Sequence, residues 1–185
     1  MKTKNSIYTL AFVLILHCIL NTDNCSAQWQ PDVRLTNDTS RSWISSNNAW
    51  SVAASGNAVH VVWKDFRDGN GEIYYKRSTN GGVIWGADTR LTNNAATPWY
   101  YSVTVSGSVV HVLWQDNRDG NYELYCKRST DAGVSWGADT RLTNNTAESW
   151  APSAAVSGSV VNVLWQDIRD GNYEIYCKRS TDAGV

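Results

Sequence analysis

After residue 30 the chain has almost no segment in which apolar residues recur at helical spacing, which argues against a helical fold. An excess of either charge is also lacking: 16 Lys and Arg stand against 17 Asp and Glu, spread along the chain, for a formal net charge of −1. That balance removes the electrostatic footprint expected of a nucleic-acid or anionic-membrane partner. No second long apolar run follows the N-terminal one, so no membrane span is expected in the mature chain. Phenylalanine is scarce, with two residues, whereas there are ten Trp and nine Tyr. At 42% hydrophobic and 18% charged residues over 185 positions, the composition is that of one globular domain and not of a disordered chain.

The N-terminus is written differently from the rest. Lys2 and Lys4 precede an apolar run from Ile7 to Leu20, and Cys25-Ser26-Ala27 offers small residues at a cleavage spacing. Residues 1–27 therefore read as a signal peptide, and the mature protein is expected to be secreted or held at the cell surface. A lipoprotein anchor fits less well, because His17 and Asn24 precede the two cysteines where a small residue is wanted. Cleavage leaves Cys126 and Cys177, and export would permit a disulfide.

From residue 28 the chain is one unit written about three times. Trp63, Trp114 and Trp165 lie 51 residues apart, as do Ser78, Ser129 and Ser180. Ser108 to Val134 and Ser159 to Val185 differ only at His111/Asn162, Asn117/Ile168 and Leu124/Ile175. The first copy is looser, with about five extra residues around Ile44 to Asn48. A fixed period of this size signals stacked supersecondary units that cannot bury their apolar surface alone. Each unit reads as four short strands: Ser102 to Gly107, Ser108 to Asp116, Tyr122 to Ser129, and Trp136 to Thr143 in the second copy. The second strand is apolar on nearly every residue, as in a sheet covered on both faces. The expected fold is all-β: a β-propeller of four-stranded antiparallel blades, about three of them present and the ring incomplete.

Between the second and third strands the units carry Asp65-Phe66-Arg67-Asp68, Asp116-Asn117-Arg118-Asp119 and Asp167-Ile168-Arg169-Asp170, each followed by Gly. Asp-Gly is a strong tight-turn signal, because Gly tolerates positive φ. Catalysis at this trio is disfavoured by repetition, since an active site is assembled once and from different residues. A calcium loop is disfavoured because Arg118 stands where an oxygen ligand would be needed. His60 and His111 are equivalents, replaced by Asn162 in the third copy, and do not cluster as metal ligands. Cys126 and Cys177 are equivalents too, matched by Tyr75, and the roughly 10 Å between stacked sheets keeps such a pair from bonding. No cofactor and no metal is implied.

Between the third and fourth strands lie Ser78-x-Asn80-x-Gly82-x-x-Trp85, Ser129-x-Asp131-x-Gly133-x-x-Trp136 and Ser180-x-Asp182-x-Gly184. This pattern resembles the Asp-box, or BNR repeat, on the blades of sialidases and other propeller proteins, and the resemblance covers essentially residues 28 to 185. It implies a folding role for the box and places it on the face opposite the ligand site. The opposite face would carry the Asp116 to Asn121 turn and Trp43, Trp99 and Trp150, each nine residues after Arg34, Arg90 or Arg141. Such a Trp either stacks on a sugar ring or plugs the gap between blades, and recurrence weighs toward plugging. Positions that break the repeat, Phe66, Asn117 and Ile168, join the three Trp as ligand-binding candidates. The Arg-Ile-Pro motif of sialidases has no match, so no catalytic residue carries over. The resemblance implies a secreted binding or scaffold domain for a glycan or surface protein. An exo-α-sialidase or related glycoside hydrolase completed by further blades, and a structural cell-surface repeat protein, stay open. The sequence stops inside the third box and reads as the N-terminal part of a longer propeller; the three-blade piece 28–185, with two open sheet faces, is expected to be poorly soluble or oligomeric when expressed alone.

Overall fold

The computed structural model describes residues 29–46 and 50–184; the expected signal peptide, with Cys18 and Cys25, lies outside the described residues, as do 47–49 and Val185. The chain divides into two compact units, Met1–Arg34 and Leu35–Val185. In the first, the described residues 29–34 form no strand. The described residues of the second form twelve strands: β1 (Ser42–Trp43), β2 (Val52–Ser55), β3 (Ala58–Asp65), β4 (Glu72–Ser78), β5 (Thr89–Arg90), β6 (Trp99–Ser106), β7 (Val109–Asp116), β8 (Glu123–Ser129), β9 (Thr140–Arg141), β10 (Ser149–Ser157), β11 (Val160–Asp167) and β12 (Glu174–Ser180). No described helix is long and apolar enough to cross a membrane.

The strands form three antiparallel sheets: β1 and β2 on β3, then β4 and β5; β6-β7-β8-β9; and β10-β11-β12. These are the blades, and the fold is a β-propeller. Strand four is shorter than the sequence suggests, because only Thr140 and Arg141 of that run pair with β8, at Cys126 and Tyr125. Strand one is longer, reaching back to Trp99 and Trp150 across a bulge between Trp99 and Ser102 and again between Trp150 and Ser153. Tyr100 (φ 46°) and Ala151 (φ 52°) turn the chain through these bulges. In the first blade the inserted residues split that same strand into β1 and β2.

The second strand of the middle blade is largely apolar because that blade packs on both sides. Val110, Val112 and Trp114 of β7 join Val62, Ile73, Tyr75 and Leu91 of the first blade in one buried cluster. Leu113 and Leu124 point the other way, into a second cluster with Ala154, Val161, Val163 and Trp165. Burial of this kind is worth roughly 25 cal/mol per Å² of apolar surface and drives the stacking. In each blade the Trp of strand two stacks on its cross-strand Tyr, at 5.9 Å for Trp63–Tyr74, 6.1 Å for Trp114–Tyr125 and 5.9 Å for Trp165–Tyr176.

The box turn has a hydrogen-bond account. Ser129 Oγ accepts from Gly133 N at 2.8 Å, and Asp131 Oδ1 accepts from Val134 N at 3.0 Å and Ser135 N at 2.9 Å. The Ser129 hydroxyl donates to Asp131 Oδ1 at 2.7 Å, Ser180 and Asp182 repeat that contact, and Gly184 N donates to Ser180 Oγ at 2.8 Å. In the first blade Asn80 Oδ1 takes the place of the carboxylate, accepting from Ile84 N at 2.8 Å. Gly133 is held at φ 81°, and a Cβ there would lie 1.9 Å from the Tyr75 hydroxyl of the preceding blade. Trp136 closes the box against that same Tyr75 ring, edge-on at 4.9 Å, while Trp85 bridges back to Ser78. The box thus couples neighbouring blades as well as closing its own turn.

Candidate ligand-binding face

The β3–β4, β7–β8 and β11–β12 turns and the β5–β6 and β9–β10 connections share one end of the sheets. Asn121 Nδ2 donates to the carbonyls of Asn145 and Ala147, each at 3.0 Å, and Asn70 Nδ2 does the same to Asn94 at 2.8 Å. The boxes lie at the other end, where the amides of Ala132 and Ala183 bond the hairpin carbonyls of Ser108 and Ser159, both at 2.7 Å.

The acidic and basic residues of the turn are tied to one another. Asp116 accepts from Trp114 Nε1 at 2.8 Å and Arg118 N at 3.1 Å, and pairs with the Arg118 guanidinium at 2.6 Å. Arg118 also reaches Asp139 at 2.6 Å. Asp65 with Arg67 and Asp167 with Arg169 repeat the pattern. Burial alone would raise the Asp65 carboxyl, but hydrogen bonds from Arg67, Trp63 and Ser42 overcome it and hold the group well below the usual carboxylate range. Asp167 is depressed in the same way by Arg169, Trp165 and Ser149. The second aspartates, Asp68, Asp119 and Asp170, take the hydroxyls of Tyr74, Tyr125 and Tyr176. Glu123, fully buried at the start of β8, accepts from Arg141 at 3.0 Å, Asn145 N at 3.1 Å and the Thr143 hydroxyl. Every one of these carboxylates has a protein partner, so the turn holds the blade together and offers no unpaired acid to a substrate. Among the described residues no cluster of three or more His, Cys, Asp or Glu could hold a metal ion. Cys126 and Cys177 are free thiols.

The three candidate tryptophans differ. Trp43 is 43% exposed and Trp99 36%, while Trp150 is half-buried with Tyr122 tilted over it at 5.2 Å. Phe66 packs edge-on to Trp43 at 5.1 Å, Asn117 is exposed with its carbonyl accepting the Gly120 amide at 3.1 Å, and Ile168 is exposed.

A residue that the spacing argument overlooked decides this difference. Lys64 stands where the second and third blades have Gln115 and Gln166. Gln115 Oε1 accepts from Ala151 N of the next blade at 2.7 Å. Lys64 instead points its ammonium at the next blade's Trp99, with Nζ 3.1 Å from the ring centroid, 5.4 Å from Trp43 and 5.5 Å from Phe66. Gly71, where the other blades have Tyr122 and Tyr173, makes the space: a Cβ there would meet Lys64 Cδ at 2.9 Å and Phe66 Cε1 at 3.1 Å. Lys64 is only 2% exposed, and its Nζ has no hydrogen-bond acceptor among the described residues. Burial lowers its pKa to about 8. The signal was present in the sequence as three departures from the repeat, Lys64, Phe66 and Gly71, within eight residues.

The class that these features define is a β-propeller with one chemically distinct, aromatic-lined junction. No family model matches the chain, and no curated protein matches it. Among solved structures the chain is similar to the GH93 α-L-arabinofuranosidase of Fusarium graminearum with arabinobiose, at 15% identity and a TM-score of 0.51, over 68% of this chain and 42% of that one. The E242A form of that fungal enzyme, in complex with an iminosugar inhibitor, matches at 13% identity with the same TM-score and coverage. The Penicillium chrysogenum α-L-arabinanase with arabinobiose matches at 13% identity and a TM-score of 0.50, over 69% and 43%. The chain spans less than half the length of each of these proteins. At such identities the likeness defines the fold.

Proposed function

We propose that this chain belongs to an exported, sialidase-like Asp-box propeller that binds a glycan on the face carrying Trp43 and Trp99. The observation that carries the reading is the pair of half-exposed indole rings at the one junction where the repeat is broken. A flat aromatic ring with an exposed face suits the apolar side of a sugar ring. The carboxylates nearby are consumed in ion pairs, which favours binding over hydrolysis. The likeness in fold to enzymes solved with arabinobiose favours one second reading, a glycoside hydrolase whose remaining groups come from further blades.

Glycan-array screening followed by calorimetry on the full-length secreted protein tests the first reading, with arabino-oligosaccharides and sialosides included. Trp99→Ala and Trp43→Ala are expected to weaken binding by about 1–3 kcal/mol each, the range found when a stacking aromatic is removed. Release of a fluorogenic arabinoside or sialoside by the same protein would replace the binding reading with the hydrolase reading.

A further inference from the structure

At the junction of the first two blades the Lys64 ammonium sits among three aromatic rings, two of which Arg41 also approaches. Lys64 Nζ lies 3.1 Å from the centroid of one of them, Trp99, which is itself 36% exposed. An indole ring is negative on both faces, and this is what attracts a cation to it. A cation already bound to one face cancels that attraction on the other and adds its own repulsion through the ring. Lys64 is buried and its Nζ lacks a hydrogen-bond acceptor among the described residues, so little screens its field.

We propose that Lys64 is a specificity-determining residue of this face, making the exposed surface of Trp99 accept neutral and acidic saccharides and reject cationic amino sugars. The inference rests on the glycan-binding reading above and gives it a substrate class. The next junction supplies the contrast: Gln115 is neutral and bonded to Ala151 N, and Tyr122 covers Trp150. Arg41 strengthens the same charge pattern, lying 5.3 Å from the Trp43 centroid and 5.5 Å from that of Phe66.

The groups facing the cluster make the effect titratable in one way only. Burial lowers Lys64 to about 8, so its charge is present below that pH and lost above it. The Tyr101 hydroxyl, which accepts from Lys64 N at 3.2 Å and donates to Trp43 O at 2.5 Å, is pushed far above this range by burial. Discrimination against cationic sugars is therefore expected at neutral pH and should fade in alkaline buffer.

The test compares oligomers of N-acetylglucosamine, which are neutral, with N,N,N-trimethylglucosamine oligomers, which carry a permanent positive charge, on the full chain at neutral pH. The neutral-over-cationic affinity ratio should fall roughly two- to fivefold in Lys64→Gln, the size of one exposed cation–π contact. Lys64→Met, of similar length and without charge, should lower it likewise and guards against misfolding of the first variant. In the wild-type chain the same ratio should fall as the buffer is raised past the Lys64 value. Saccharide binding with an unmoved ratio in both variants overturns the charge selectivity and leaves the glycan reading standing. Failure of the wild-type chain to bind any saccharide overturns both.

Discussion

The first and second blade junctions share a backbone and differ in what fills the space over the incoming tryptophan. At the second, Tyr122 lies across Trp150 and Gln115 bonds the bulge amide of Ala151. At the first, Gly71 has no side chain, and Lys64 and Phe66 enter the vacated volume beside Trp99 and Trp43. A near-exact repeat can thus carry one chemically singular site when two or three coupled positions change together. The inner part of the junctions differs as well. Tyr75 reaches across to the box of the second blade and bonds His60 Nδ1 at 2.7 Å. Its counterpart Cys126 leaves a cavity of about 70 Å³ bounded by His111, Leu113 and Val163, and His111 Nε2 donates instead to the Ala183 carbonyl at 3.0 Å.

The comparison can be broken most severely at a feature that both complete blades share. Glu123→Ala strands Arg141 and the Thr143 hydroxyl beside an empty buried site, and should cost ~3–5 kcal/mol in urea unfolding. Glu174→Ala, at the equivalent but exposed glutamate, should cost no more than about 1 kcal/mol. Tyr75→Cys makes the first junction resemble the second; with the ring gone from a buried cluster, a loss of ~3 kcal/mol is expected from thermal or urea melts. It should also relieve Gly133→Ala, whose added methyl group clashes with the Tyr75 hydroxyl, so the double variant is less destabilised than the sum of the two.

Gly71→Tyr alone forces a ring into space held by Lys64 and Phe66, for a loss of about 1–3 kcal/mol. Adding Lys64→Gln and Phe66→Asn completes the second-blade set, and the triple variant should regain most of that stability. A triple variant no better than Gly71→Tyr would show that the three positions are not coupled. The smallest effect is on pH dependence. Asp65 and Asp167 are depressed in the folded chain, so they add stability above the ordinary carboxylate pKa of about 4 and lose it as pH falls below that value. Melting temperature should be flat from neutral pH down to that point and decline beneath it, and Asp65→Asn should flatten part of the decline.

Much of the fold was legible in the residues because its signals are local. Strand period, the Asp-Gly turns at Gly69, Gly120 and Gly171, all with positive φ, and the 51-residue spacing each depend on neighbours in sequence. The bulge after Trp99 was not legible: Tyr100, at φ 46°, carries no mark of a left-handed residue. The exposure of Trp43 and Trp99 was not legible either, since recurrence of a Trp says that it is needed and not which side of it meets water.

By itself the sequence determined the unit, its strands, its turns and the number of times it is written, because alternation and glycine chemistry act over a few residues. Only the tertiary structure decided that Lys64 lies against Trp99. The two are 35 positions apart and belong to different blades, and their meeting depends on the volume that a third residue, Gly71, leaves empty. Packing between blades, which has no period along the chain, made that site.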